Sequence, residues 1–294
     1  MKKTLLLLIG VAFIAGCDLY PQDDYTEQYV VDGWLTAMEP LPEIRLTRTG
    51  EISTVFDINE RGVADAMISV SEVDPVTGDT VWSQLYRHKD SGFYEPVNTI
   101  RIVQPNTRYD LDISTARGDR ITAKTVVPDT FSVISLNADR LPYQGPEQFE
   151  LNLTRSVNPS RQSYYVFSAQ ILDTLNAELT PFYANFDDVD RSELFIVSSG
   201  IINESNSRQP GSDVVDLVYP WIGIAFYGST RITAAAIDDN VYDFIRSAGT
   251  QLGGGTQSPG EIENIISNVE GGIGLFGSYS KVSVTVDIEK PVLQ

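Results

Sequence analysis

Between residues 27 and 128 hydrophobic and polar positions alternate in short runs separated by turn residues. The runs are Tyr29–Leu35, Ile44–Thr49, Ala66–Glu72, Thr80–Tyr86, Gly92–Glu95, Tyr109–Ile113 and Ile121–Val127, and Asp74–Asp79 has the composition of a turn. A period of two puts one face of a strand on a core and the other in water. Seven such strands in about a hundred residues predict an antiparallel β-sandwich of immunoglobulin-like or transthyretin-like type. Trp34 and Trp82 are expected to belong to this sandwich. Pro128 ends the last run.

Residues 129–147 contain Pro142, Gly145 and Pro146 and read as a linker, with enough apolar side chains to lie extended along a neighbour. Residues 148–294 read as a second β-rich domain. Its predicted strands are Phe149–Thr154, Tyr164–Leu172, Trp221–Tyr227, Thr230–Ile237 and Val282–Ile288, with Gly228 and Ser229 as a hairpin turn. Asp238 or Asp239 is placed to cap a short helix over Asn240–Ala248, and Gly249 to end it. Residues 173–212, rich in Asn, Asp and Ser, predict a long insertion, and residues 251–260 a glycine-rich loop.

The amino terminus has a different pattern. Lys2 and Lys3 precede an apolar run, Thr4–Gly16, that ends in small residues before Cys17. This is the order of a signal peptide over residues 1–16, and the run is shorter than the ~20 residues a membrane span needs. Cys17 is the sole cysteine, so the chain cannot form an internal disulfide. Ile14-Ala15-Gly16-Cys17 resembles the lipobox of bacterial lipoproteins, which implies lipidation at Cys17. Residues 17–26 read as a polar tether, and Gln22-Asp23-Asp24 resembles the acidic export signal of surface lipoproteins, with a plain solvated linker as the alternative.

Cleavage would leave about 280 residues, enough for one large or two ordinary domains. The formal charge of −19 becomes more negative still without Lys2 and Lys3. So acidic a surface repels nucleic-acid phosphates and anionic lipid heads, which excludes nucleic acid as a partner and leaves the lipid as the membrane contact.

Few residues suggest chemistry. Gly271, Gly272, Gly274, Phe276 and Gly277 fit a dinucleotide-binding spacing, but a strand follows where a helix is required. They are expected to form a tight backbone crossing, with Phe276 plugging a core. His88, the single histidine, is expected at a hairpin tip, without the partners that zinc or a catalytic triad needs. Asn185, Asp187, Asp188, Asp190 and Glu193 form the densest oxygen cluster; Asp187, Asp188 and Asp190 are calcium candidates, and a solvated acidic loop is the default. Tyr183, Phe186, Tyr219, Trp221, Tyr227 and Tyr242 lie in the second region, where exposed aromatic rings would suit sugar or peptide partners. No paired carboxylates are marked for glycoside hydrolysis.

Scattered stretches over nearly the whole mature chain resemble one family. They are the lipobox at Cys17, Tyr29–Gly33, Ile44–Thr49, Ala64–Val70, Pro105–Leu111, Val126–Pro128 and, most specifically, Ser267–Gly277. The resemblance is to uncharacterised bacterial outer-membrane lipoproteins of the domain of unknown function 4249 type, commonly encoded beside TonB-dependent receptors. It implies an outer-membrane, lipid-anchored location and an accessory part in uptake beside such a receptor; it carries no catalytic residue. The expectation is therefore a mainly β, two-domain binding protein without cofactor or catalysis. A hydrolase acting on surface polymers and a structural or adhesive component are the alternatives.

Overall fold

The computed structural model describes residues 25–51, 55, 57–98, 100–186, 190–208, 211–252 and 265–291. Among them the fold is mainly β: a large mixed sheet, a three-stranded sheet and one α-helix. No helix of the described residues is long and apolar enough to cross a membrane.

The first seven strands are β1 (Tyr29–Thr36), β2 (Ile44–Arg48), β3 (Ala66–Val73), β4 (Thr80–Asp90), β5 (Phe93–Pro96), β6 (Arg108–Thr115) and β7 (Arg120–Val126). All seven match the alternating runs within a few residues. In β6, Tyr109, Leu111 and Ile113 point inward while Asp110 and Asp112 face outward, as the period of two requires. The order is β1-β2-β5-β4-β3-β6-β7, with antiparallel neighbours throughout. The strands wrap around one core that includes Leu35, Ile44, Leu46, Ile68 and Ile113. The ring of strands then meets itself: Thr122 of β7 exchanges two backbone hydrogen bonds, 3.0 and 2.8 Å, with Glu270. At the 74–79 turn the Asp74 carboxylate accepts from the backbone N–H groups of Val76 and Thr77, which holds its pKa below the usual value.

Beyond Pro128 come β8 (Val133–Leu136), β9 (Arg140–Pro142), β10 (Phe149–Thr154), β11 (Tyr164–Ile171), β12 (Ile196–Ser198), β13 (Ile202–Asn203), β14 (Val214–Tyr219), β15 (Gly228–Ile237), helix α1 (Asp239–Leu252) and β16 (Ile273–Glu289). The sheet β14-β10-β8 packs against β11-β15-β16 around a second core that includes Phe149, Leu153, Phe167, Ile232 and Val286. Residues 129–147, read as a linker, hold two strands: β8 pairs with β10, and β9 runs parallel to the end of β16. The hairpin expected around Gly228 and Ser229 is absent. Both residues lie inside β15, which pairs with β11 and β16, while Trp221–Gly223 is a 3-10 turn. Pro220 cannot donate a ladder hydrogen bond and opens that turn instead. Helix α1 continues through Gly249, a weak helix former expected to end it, as far as Leu252.

Strand β16 joins the two cores. Its start runs parallel to β1, from Val30 opposite Ile273 to Thr36 opposite Tyr279. Its remainder runs antiparallel to β15, from Ile237 opposite Tyr279 to Gly228 opposite Ile288. Phe276 belongs to the first core, Leu275 packs under α1, and Val286 and Ile288 belong to the second core.

Candidate functional site

The insertion after β11 folds back onto the segment that leads into β15. Thr180 N–H donates to the Ala225 carbonyl at 2.8 Å, and Tyr227 N–H donates to the Glu178 carbonyl at 2.9 Å. A small apolar cluster of Ile171, Ala225 and Phe226, with Leu179, Leu194 and Phe195, holds the two together. This seam brings aromatic rings from distant positions together, Tyr143 and Tyr219 buried and Phe182 and Phe186 exposed. Tyr183 donates its hydroxyl to the Ile222 carbonyl at 2.7 Å and touches Phe182 and Phe186, with centroids 5.0 and 6.1 Å away. Tyr143 packs edge-on against Trp221 at 5.4 Å and Tyr227 at 5.7 Å. Gly223 lets the 3-10 turn close over the Tyr219 ring, because a Cβ there would sit 2.5 Å from that ring. Burial raises the pKa of the Tyr219 hydroxyl. Phe182, Phe186 and Ile222 remain 41%, 49% and 55% exposed, an apolar grouping that water does not favour.

This face lies at one end of β16. Tyr143 N–H donates to the Glu289 carbonyl, and Lys290 sits 6.0 Å from the Tyr227 ring and pairs with Glu178. The chain's entry into the first core lies at the other end, where Val30 is opposite Ile273 and Gln28 N–H bonds to Thr49. At ~3.3 Å per residue, about 50 Å of strand in β16 runs between the entry and the aromatic face. The glycine-rich stretch sits at the entry end. Gly274 has φ +111°, and a Cβ there would lie 2.1 Å from the Val31 carbonyl oxygen, so glycine allows β1 and β16 to pair. Gly271, Gly272 and Gly277 flank it, against Arg120, Tyr29 and Val241, and Phe276 is fully buried.

Two carboxylates are buried among the described residues, Glu204 and Asp238. Glu204 pairs with Arg155 and with Arg208 at 3.1 Å and accepts from Ser163 N–H at 3.0 Å, tying the insertion to β10 and β11. Asp238 caps α1: its Oδ1 accepts from Val241 N–H at 2.8 Å. Burial pushes the Asp238 carboxyl up to about 6, against hydrogen bonds from Thr125, Val241 and Ser278 that lower it.

A family profile described as "Domain of unknown function (DUF4249)" matches residues 18–285. The chain belongs to the DUF4249 family. That match takes in both cores and most of β16. No curated protein matches the chain. A solved structure described as "Crystal structure of tetra-tandem repeat in extending region of large adhesion protein" is similar at 11% identity, over 90% of this chain and 50% of its own, with a TM-score of 0.22. The chain thus spans half the length of that structure, and so low a score carries no argument.

In this DUF4249 protein the fold gathers five of the six singled-out aromatics, Tyr183, Phe186, Tyr219, Trp221 and Tyr227, and leaves out the sixth. Tyr242 stacks on Tyr164 at 4.2 Å beneath α1. Trp34 lies in β1 of the first region, as expected, and its side chain faces α1, because its position points to the outer side of the sheet. Trp82 packs on the first core. His88 lies within β4 and faces Tyr94, and the tip is Ser91-Gly92. Of the oxygen cluster, Asp190 accepts from Ser192 N–H, which lowers its pKa, and Asn185 donates to the Pro181 carbonyl. Asp187, Asp188 and Cys17 lie outside the described residues, and no group of three or more potential metal ligands occurs among those described. Tyr143 and Phe182 were missed: Tyr143 lies in the segment read as a linker and meets Trp221 and Tyr227 only through the tertiary fold, while Phe182 touches its neighbours Tyr183 and Phe186.

Proposed function

We propose that the protein is a lipid-anchored, non-catalytic binding component of the cell envelope that presents its aromatic face to a TonB-dependent outer-membrane receptor. The observation that carries this reading is the placement of the exposed Phe182 and Phe186 rings about 50 Å of strand away from the chain's entry. A tether attached at the entry end would aim the rings away from the bilayer, and the acidic surface would keep the body off anionic lipid heads. Large aromatic side chains are the residues that protein interfaces enrich. The anchor is tested by the mass of the mature amino terminus, where a lipid thioether on Cys17 is expected and a bare thiol would remove the reading. The partner is tested by purification from detergent-solubilised outer membranes. A receptor of this class should accompany the wild-type protein and be lost with Phe182→Ser/Phe186→Ser; equal recovery would reject the face.

A further inference from the structure

The outer face of β11, β15 and β16 carries the side chains that the second core leaves outside, and the strand register sets them in rows. Tyr164, Ile237 and Tyr279 form the first row, and Val166, Ala235 and Lys281 the second. Ser168, Thr233 and Ser283 form the third, and Gln170, Arg231 and Thr285 the fourth. Helix α1 packs on the first row, in a cluster with Val241, Ile245 and Trp34. Beyond it the face stays open as a shallow groove of about 560 Å³ floored by small side chains. The first and fourth rows are six residues apart along β15, about 20 Å of strand.

The groove differs in charge from the rest of the chain. Among the described residues that line it are Arg231 and Lys281 and no carboxylate, whereas the chain has 40 acidic residues against 21 basic ones. Arg231 meets Gln170 Oε1 at 3.5 Å and has no carboxylate partner among the described residues. Lys281 pairs with Glu39 at 3.0 Å on the rim, which leaves its ammonium two further donors. The neighbouring Asp32 and Asp287 are engaged, by Trp34 Nε1 at 2.6 Å and by Arg140 at 3.7 Å. One end of the groove is aromatic, with Trp34 and Tyr279 edge-on at 6.5 Å. Its floor is polar, with the Thr233 and Ser283 hydroxyls 2.8 Å apart and Ser168 beside Thr233.

These features select among occupants. An acyl chain would strip water from the hydroxyl floor and return no hydrogen bond. An extended peptide cannot pair with the sheet here, because β15 lies between β11 and β16 with both its edges used. The backbone N–H and C=O groups of such a peptide would have to find side-chain partners. Sugar hydroxyls both donate and accept, as Ser, Thr and Gln side chains do. Aromatic rings offer an apolar surface to the C–H face of a sugar ring, and a carboxylate on the sugar matches a guanidinium.

We propose that the outer face of β11, β15 and β16 binds a short oligosaccharide of uronic acids. Trp34 and Tyr279 take a ring face, Ser168, Thr233, Ser283 and Gln170 take hydroxyls, and Arg231 and Lys281 take carboxylates. The acidic surface around the groove limits the site to a short stretch of such a chain. The inference depends on neither the anchor nor the receptor.

Its test is titration calorimetry of the purified protein at low ionic strength with tetragalacturonate, maltotetraose and tetraglutamate. Tetragalacturonate should bind, and the neutral sugar and the acidic peptide should bind roughly tenfold more weakly or less. Arg231→Gln should weaken tetragalacturonate binding about tenfold. Ser283→Tyr fills the groove from an exposed position and should abolish binding. Both side chains are exposed, so thermal melts should show both variants folded as the wild type is. No heat with tetragalacturonate, equal binding of maltotetraose or tetraglutamate, or unchanged affinity in either variant overturns the proposal.

Discussion

The first core is wrapped by strands that mostly follow one another through short turns, whereas the second is assembled from β8–β15 by long connections and a forty-residue insertion. The first region hides nearly all its aromatic rings or keeps them on strand faces. The second exposes a group of them where the insertion meets the 3-10 turn at Trp221–Gly223. The difference teaches where function is free to sit. A ring of strands with tight turns spends its apolar residues on its own interior, while an insertion pinned at one seam can leave apolar residues at the surface. The two regions are nonetheless coupled, because β16 supplies Phe276 to one core and Val286 and Ile288 to the other.

The strongest challenge to this coupling is Gly274→Val. Its Cβ would meet the Val31 carbonyl and its backbone would be strained, so both regions should lose structure, with a destabilisation of about 4 kcal/mol or more by denaturant titration. Gly200→Ala, with open space around it, serves as the control and should stay within ~0.5 kcal/mol. Leu111→Ala in the first core and Leu151→Ala in the second should each cost about 3 kcal/mol. Calorimetry should show each change shifting one shared transition; two transitions that move separately would make the cores independent. Least of all should Phe182→Ser/Phe186→Ser disturb the fold, by less than ~0.5 kcal/mol per site in thermal melts, because both rings are already exposed. A larger loss would mean that the rings support the seam.

The strands of the first region were legible because each alternates over its own length and is bounded by turn chemistry such as Asp74–Asp79 and Ser91-Gly92. Phe149–Thr154 and Tyr164–Ile171 were legible for the same reason. The hairpin at Gly228 misread a local signal: glycine beside two apolar runs suits a turn, but the preceding run bonds to the insertion instead. The aromatic face was half visible. Five rings were named from composition and position, but not their assembly, nor Tyr143 and Phe182. Asp238 was named as a cap, while its partners Thr125 and Ser278, 113 and 40 residues away, left no trace in the chain.

From sequence alone come the β class, the first seven strands, the acidic surface and the expectation of a lipid at Cys17, because alternation, charge and a short apolar leader are properties of neighbouring residues. Only the tertiary structure decided that one strand serves two cores, that the rings collect at its far end, and that a buried carboxylate meets two hydroxyls. Those outcomes depend on which distant segments pair. Pairing is set by the packing of whole faces rather than by any local period.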